Sequence, residues 1–390
     1  MKTQDRMITP AILTVALLTI MAGAVVAPAI ASIARAFPLA SGSSIKLVLT
    51  LPALMVIPFA FFTNRLTRTW GKKKTLLLGL VLYLVSGVGG GLAGSIEFLL
   101  ICRAFLGISV GIIMPLANAL VSDFYQADKA ARMMGWVSAS SQVGGICGQL
   151  LSGVLAAVSW RYSFGSYGVA LAAIILVHFY LPEPERRSAP NEKRRQKFPL
   201  PVVFYALVML VTMMVFYVVP VNISLFIENQ GMGSPATSGA ASAWLNLTAF
   251  LLGLSFHRLH KLFGCYSMPA GAGVIALGMF VLGQSTHLAA IFCGLTLVGA
   301  GLGFISPLVF QLTRLSAGPA RLVSAMALVT SLLYLGQFLS PLVLDSLAGA
   351  WFADSPATPF KMATWFGLGL TGLAFLHSIY LKIFSPSAEQ

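Results

Sequence analysis

The segment LPEPERRSAPNEKRRQKFP, residues 181–199, carries four prolines, six Lys or Arg and three Glu, with no apolar periodicity. Long stretches almost free of charge flank it on both sides. A stretch of this composition has too little apolar surface to offset the entropy of ordering it, and its prolines interrupt regular structure. It reads as a solvated connector, residues 182–200, joining an N-terminal half (1–181) to a C-terminal half (201–390).

Each half is too apolar for water. Of the 390 residues, 57% are hydrophobic and only 9% charged, well short of the charge that a soluble surface of this size carries. The chain is therefore a multi-pass membrane protein. Apolar runs of spanning length lie near 8–33, 45–64, 75–94, 98–121, 131–157 and 162–181. Beyond the connector they lie near 201–227, 235–256, 267–284, 288–313, 322–348 and 363–383. That makes six spans per half and an all-α fold. The first run continues well past 20 residues without a cleavage pattern, so it is expected to be retained as a span.

The basic residues orient these spans. Arg65, Arg68, Lys72, Lys73, Lys74, Lys129, Arg132, the connector cations, Arg258, Lys261, Arg314 and Arg321 all fall in connections on one side, as do Lys2, Arg6 and Lys382 near the termini. The opposite connections hold Arg35, Lys46, Arg161 and Lys361. The positive-inside rule places both termini and the connector in the cytoplasm of a plasma-membrane protein. The net charge of +14 is then mostly a topology signal. It implies contact with anionic membrane lipid rather than with nucleic acid.

The halves also repeat. Shifted by 192 or 193 residues, Gly107, Gly111 and Pro115 meet Gly299, Gly303 and Pro307, and Gly144 meets Gly336. Arg65, Leu66, Arg68 and Gly71 meet Arg258, Leu259, Lys261 and Gly264. A parallel six-plus-six repeat is one of the known transporter anatomies.

Four motifs, in order along the chain, resemble those of the major facilitator superfamily, and within it the twelve-span drug:proton antiporter branch. NRLTRTWGKKK (64–74) is similar to the signature between spans 2 and 3, G-x-L-a-D-r-x-G-r-k, through Leu66, Gly71, Lys72 and Lys73. Asn64 replaces its first glycine and Arg68 its acid. CRAFLGISVG (102–111) resembles the span-4 motif R-x-x-x-G-x-x-x-G. GGICGQLLSG (144–153) resembles the span-5 antiporter motif through Gly144, Gly148 and Gly153, with Gln149 where the motif has proline and Ser152 where it has glycine. SWRYSF (159–164) resembles the W-R-x-x-F that follows. The resemblance implies two six-helix bundles working by alternating access. It also implies a cavity lined by spans 1, 4, 7 and 10 with 2, 5, 8 and 11 beside them.

Candidate site residues follow. Arg103 lies about five residues into span 4, roughly 8 Å deep. A cation at that depth is costly unless it meets water or a partner. It is a candidate for proton coupling, for holding the outer half of the cavity, or for snorkelling to the interface. Span 1 has no acid. Glu228 and Asp345, near the ends of spans 7 and 11, are the remaining candidates for cavity charge, whereas Asp123 is expected to pair with Arg132 or the 65–74 loop. Asn118, Trp136, Gln142, Tyr217, Asn222, Trp244, Asn246, Gln311 and Tyr334 are polar or aromatic groups within the cavity-lining spans. They suit an adaptable amphipathic site. Gly144, Gly148 and Ser152 share one helix face. Gly336 and Ser340, followed by Pro341, repeat it. Small residues let helix backbones meet in a bilayer, so these faces are expected to meet across the two halves as a gating or packing seam. Gln149 lies beside the stripe, available for an interhelical hydrogen bond or for the cavity.

There is no phosphate-cradling G-x-x-x-x-G-K-[ST], no metal-ligand spacing among the four cysteines and no nucleophile–base pair. The chain reads as a transporter without a cofactor, not an enzyme. A proton-coupled exporter of small amphipathic molecules, acting as a monomer, is the leading expectation. A facilitator or importer of a small polar metabolite, and a non-transporting receptor or scramblase on the same fold, are the alternatives.

Overall fold

The computed structural model describes residues 2–184, 198–318, 321–352 and 355–384. Residues 185–197, most of the expected connector, lie outside them. The described residues are helical with no strand. The long helices are α1 (Lys2–Ala24), α2 (Gly42–Trp70), α3 (Lys72–Gly89), α4 (Ile96–Phe124), α5 (Ala127–Val158), α6 (Ala170–Tyr180), α7 (Leu200–Asn229), α8 (Pro235–Leu254), α9 (Ser267–Gly283), α10 (Leu288–Ala317), α11 (Leu322–Ser340) and α12 (Thr358–Phe384). Among the described residues, eleven helical segments are long and apolar enough to cross a membrane. The helix missing from that set is α8, whose Ser238, Ser242, Asn246 and Thr248 dilute its apolar content. Ser159 separates two of these segments, Lys129–Val158 and Trp160–Tyr180.

The chain forms two compact units. One holds the residues up to 194 together with Gly233–Ala243, and the other holds residues 195–232 and everything from Trp244 onward. The first half of α8 thus belongs to unit 1, although it follows the connector in sequence.

Helix starts follow local chemistry. Ser41 accepts from Ser44 N–H at 3.1 Å to cap α2, and Ser95 accepts from Phe98 N–H at 3.2 Å to cap α4, each satisfying a donor with no intrahelical partner. The lateral packing rests on glycine meeting backbone. In unit 1, a Cβ on Gly107 would sit 2.6 Å from Pro52 Cα, and one on Gly111 2.9 Å from the Val56 carbonyl oxygen. In unit 2, a Cβ on Gly299 would sit 2.6 Å from the Leu245 oxygen, and one on Gly303 would collide with the Ala249 oxygen. Lipid gives helices no hydrophobic reason to associate, so such close backbone approach supplies the packing energy.

The Gly144–Gly148–Ser152 face departs from expectation. It packs on α1 within unit 1. A side chain at Gly144 would strike the Leu17 carbonyl, one at Gly148 would lie 3.0 Å from Met21 Cγ, and Ser152 Oγ donates to the Val25 carbonyl. Gly336 and Ser340 behave likewise in unit 2. A Cβ on Gly336 would meet the Leu210 carbonyl and lie 3.0 Å from Met213 Cβ, and Ser340 Oγ donates to Met214 O at 2.7 Å. The periodicity identified the face correctly, but a helix stripe does not say which neighbour it meets. Gly153, one position off the stripe, faces the first half of α8, where its Cβ would lie 2.9 Å from Gly239 Cα.

Candidate functional site

Arg103 is 1% exposed, so it does not snorkel. Its Nε donates to Val48 O at 2.7 Å, Nη1 to Tyr167 Oη at 2.7 Å and Nη2 to Ala22 O at 3.0 Å. Tyr167 Oη in turn donates to Ala22 O at 2.8 Å, and Tyr83 Oη donates to Leu18 O at 3.0 Å. The sequence explains the first of these carbonyls. Pro52 sits inside α2 and has no N–H, so the oxygen four residues back, on Val48, lacks its helical donor. Ala22 lies in the last turn of α1, just before the chain passes through a turn into the 3-10 segment Ala27–Ala29, and carbonyls in a last turn need external donors. Arg103 thus cross-links α1, α2 and α4 through their own backbone breaks. Thr63 does the same further along the α2–α4 pair, donating to Gly111 O at 3.2 Å, which Pro115 leaves without a helical donor.

Other polar groups of unit 1 form a ladder between α1 and α5. Ser140 Oγ donates to Leu13 O at 2.7 Å, Ser141 Oγ to Ala16 O at 2.9 Å and Thr19 Oγ1 to Ser141 Oγ at 3.2 Å. Asn118 and Trp136 are exposed, Gln142 is half-buried and Gln149 is buried. An amide exposed along a spanning helix belongs beside water rather than lipid, which keeps Asn118 a cavity candidate. Thr19, Ser140 and Tyr167 were missed by sequence reasoning, because single hydroxyls in apolar runs carry no periodic signal.

In unit 2 the acids find polar neighbours. Asp345 ends a π-helical turn, Pro341–Asp345, that follows α11, a bulge of the kind often found at functional sites. The Asn222 amide reaches its Oδ1 at 3.5 Å while also donating to Val218 O at 3.0 Å. Asn222 is 4% exposed. Two residues further along α7, Ser224 Oγ donates to Glu228 Oε1 at 2.8 Å. Tyr217, Tyr334 and Asn246 are half-buried, whereas Gln311 is exposed, as Asn118 is. Trp244 Nε1 donates to Thr296 Oγ1 at 2.9 Å, and its ring meets Phe292 edge-on. The structure therefore brings Asn222 and Asp345 together, and leaves Arg103, Asn118, Trp136 and Gln142 in a different unit.

The α2–α3 connection is tied down by charge. Lys72 Nζ meets Asp123 Oδ2 at 2.6 Å, which makes the loop, and not Arg132, the partner of that acid. Glu183 Oε1 accepts from Lys72 N–H at 2.6 Å, and Glu183 Oε2 from Lys73 N–H at 3.2 Å. A carboxylate at a helix N-terminus satisfies free donors and opposes the dipole. Gly71 is required twice here. Its φ is +87°, and a Cβ would lie 2.6 Å from Glu183 Oε1. Leu66 is half-buried and Arg68 exposed.

The order of these elements matches a known family over most of the chain. The family model described as Major Facilitator Superfamily matches residues 12–341. The chain belongs to the Major Facilitator Superfamily. Among relatives, Multidrug resistance protein 1 of Bacillus subtilis (strain 168) is 34% identical over 145 residues, 37% of this chain and 36% of that protein. Quinolone resistance protein NorA of Staphylococcus aureus is 29% identical over 143 residues, 35% of this chain and 37% of that protein. The matches thus span little more than a third of either relative. Superfamily folds recur among solved structures. A nucleoside transporter, NupG, superposes with a TM-score of 0.78 at 9% identity, covering 95% of this chain and 99% of that one. A D-xylose–proton symporter superposes at 0.74 with 17% identity, covering 95% and 97%.

Proposed function

We propose that this transporter is a proton-coupled exporter of small amphipathic molecules, including drugs, working as a monomer by alternating access in the plasma membrane. Asp345 is the proposed proton carrier, with Glu228 as a second candidate. The observation that carries this reading is the Asp345 carboxylate set on a π turn within a spanning segment, beside a buried amide on α7. An acid at such a depth is expensive when ionised. Its proton uptake is therefore sensitive to whether water reaches it, and alternating access requires that sensitivity. The multidrug and quinolone resistance relatives support an amphipathic cargo.

Twelve spans in two bundles, 1–181 and 201–390, joined by 182–200 with both termini cytoplasmic, complete the proposal. Matching backbone contacts support the repeat: Gly111 on Val56 O and Gly303 on Ala249 O, Gly144 on Leu17 O and Gly336 on Leu210 O, each offset by 192 or 193 residues. The 20-residue length of α8 supports counting it as a span.

The test is reconstitution into liposomes with an imposed pH gradient, following a quinolone or a lipophilic dye together with internal pH. Substrate movement that drives proton movement in the wild type, and is uncoupled in Asp345→Asn, is the expected result. Substrate flux without proton flux in the wild type removes the antiport reading. Full coupling in Asp345→Asn and loss in Glu228→Gln transfers the role to Glu228.

A further inference from the structure

The two units treat their basic ends differently. In unit 1 the α2–α3 connection has acids beside it: Asp123 pairs with the Lys72 ammonium, and Glu183 accepts from the backbone N–H groups of Lys72 and Lys73. Among the described residues of unit 2 the carboxylates are Glu228 and Asp345. Both lie toward the other ends of their helices, late in α7 and beyond the end of α11. The end of unit 2 where α8 stops and α9 begins carries Arg258, Lys261, Arg314 and Lys382, and no described carboxylate faces them.

The chain shapes this end for a surface. After α8 it turns at Ser255 and forms a separate helix, Phe256–Phe263 (FHRLHKLF), ended by Gly264 at φ +51°. At 100° per residue, His257, Arg258 and Lys261 share one side, and all three are exposed. Phe256 and Phe263 lie opposite, each ring 5.9 Å from that of Phe304 on α10. A short helix with cations on one side and aromatics on the other has the character of an element lying in a membrane interface. Leu262 beside them is 75% exposed and Leu254 71%. The next residues add an aromatic floor. Tyr266 stacks on Phe375 of α12 at 5.8 Å, and Lys382 Nζ sits 6.0 Å over the Tyr266 ring. Ser378 Oγ fixes this corner by donating to Cys265 O at 2.8 Å.

We propose that this corner, between the Phe256–Phe263 helix and the end of α12, is a binding site for an anionic phospholipid of the leaflet on that side. The headgroup phosphate sits among Arg258, Lys261 and Lys382, and an acyl chain runs against Leu262 and the Tyr266–Phe375 stack. Charge complementarity identifies the occupant. A set of cations without described acids, bordered by exposed leucines and aromatics, needs a ligand that is anionic at one end and apolar at the other. A soluble anion satisfies only half of it. The inference needs only a membrane-spanning chain, so it stands or falls separately from proton coupling and drug export.

The experiment measures lipid retention by native mass spectrometry of the purified full chain. It is titrated with phosphatidylglycerol or with phosphatidylcholine of the same acyl composition. Wild type is expected to retain phosphatidylglycerol in preference. Arg258→Gln/Lys261→Gln/Lys382→Gln is expected to lose that preference, with affinity lower by roughly 5-fold per cation and about 100-fold for the three. The matched triple Arg65→Gln/Arg68→Gln/Lys74→Gln on unit 1 is expected to retain more than the unit 2 triple. Equal binding of the two lipids by the wild type overturns the proposal, as does unchanged phosphatidylglycerol binding by the unit 2 triple. Full displacement by millimolar glycerol 3-phosphate overturns it too, since it would mean that the apolar half of the site contributes nothing.

Discussion

Arg103→Met, with and without Pro52→Ala, tests whether the buried cation is a cross-link for broken backbones. Methionine keeps much of the length and apolar stem of arginine and removes its donors. In the structure, Ala22 O retains the Tyr167 hydroxyl as donor at 2.8 Å, but Val48 O loses Arg103 Nε. A buried carbonyl left without a partner costs about 1–3 kcal/mol, and losing three charge-assisted bonds adds to this. Removing a buried charge returns part of the cost. A net loss of about 3 kcal/mol is expected. Unfolding entropy of roughly 2 cal/mol/K per residue makes this a fall of only about 3–4 °C in apparent melting temperature for a chain of this size. Pro52→Ala restores an N–H four residues after Val48, so the double variant should recover about half of the loss. Melting of the four purified proteins in one detergent closes the cycle, and the expected coupling is about 1–2 kcal/mol. Strict additivity would refute the argument that Arg103 replaces the proline's missing donor. Arg103→Lys should behave nearly like Arg103→Met, because one ammonium does not reproduce the planar fork that spans three acceptors.

Gly144→Leu should reduce folded yield sharply, since its side chain enters the Leu17 carbonyl, and overpacking of this kind typically costs about 1–3 kcal/mol or more. Size-exclusion profiles in detergent report it, and a wild-type profile would place the glycine away from α1. Glu183→Gln should destabilise the start of α3 by about 0.5–2 kcal/mol. Gly71→Ala should do at least as much harm, because it meets both the positive φ and the carboxylate; hydrogen exchange at residues 72–75 distinguishes a local from a global effect. A cysteine placed in the 182–200 connector should react with impermeant maleimide only after cells are opened. Labelling of intact cells would reverse the proposed orientation.

Much of the architecture was legible because bilayer solvent imposes long apolar runs, and those runs survive any packing arrangement. The 235–256 run was read as a span from its apolar residues, yet the hydroxyl and amide content of α8 keeps it below the apolarity of the rest. The glycine faces at 144–152 and 336–340 were visible as stripes. Their neighbours were not, since a helix face meets whatever the tertiary fold supplies, and here that is α1 and α7. Arg103 was singled out by its depth and by the span-4 motif it opens. Its role needed the positions of Pro52 and the α1 break, and a proline four residues beyond an otherwise helical carbonyl is a signal that the sequence does carry. Asp345 and Asn222 were both named, but nothing linear joins residues 123 positions apart. The pairing depends on the π turn after Pro341, which no periodicity announces.

The Glu183 cap also gives the chain an order of assembly. The amide of Lys72 and the carboxylate that receives it are separated by 111 residues. At a synthesis rate of about 5–20 residues per second, the acid emerges roughly 6–22 s after the helix start it closes. Until then the first turn of α3 has only water for its donors. The last helix of the N-terminal bundle, Ala170–Tyr180, must be in place before Glu183 can reach back. Docking of that helix is therefore recorded at a single carboxylate, just as the ribosome begins the connector.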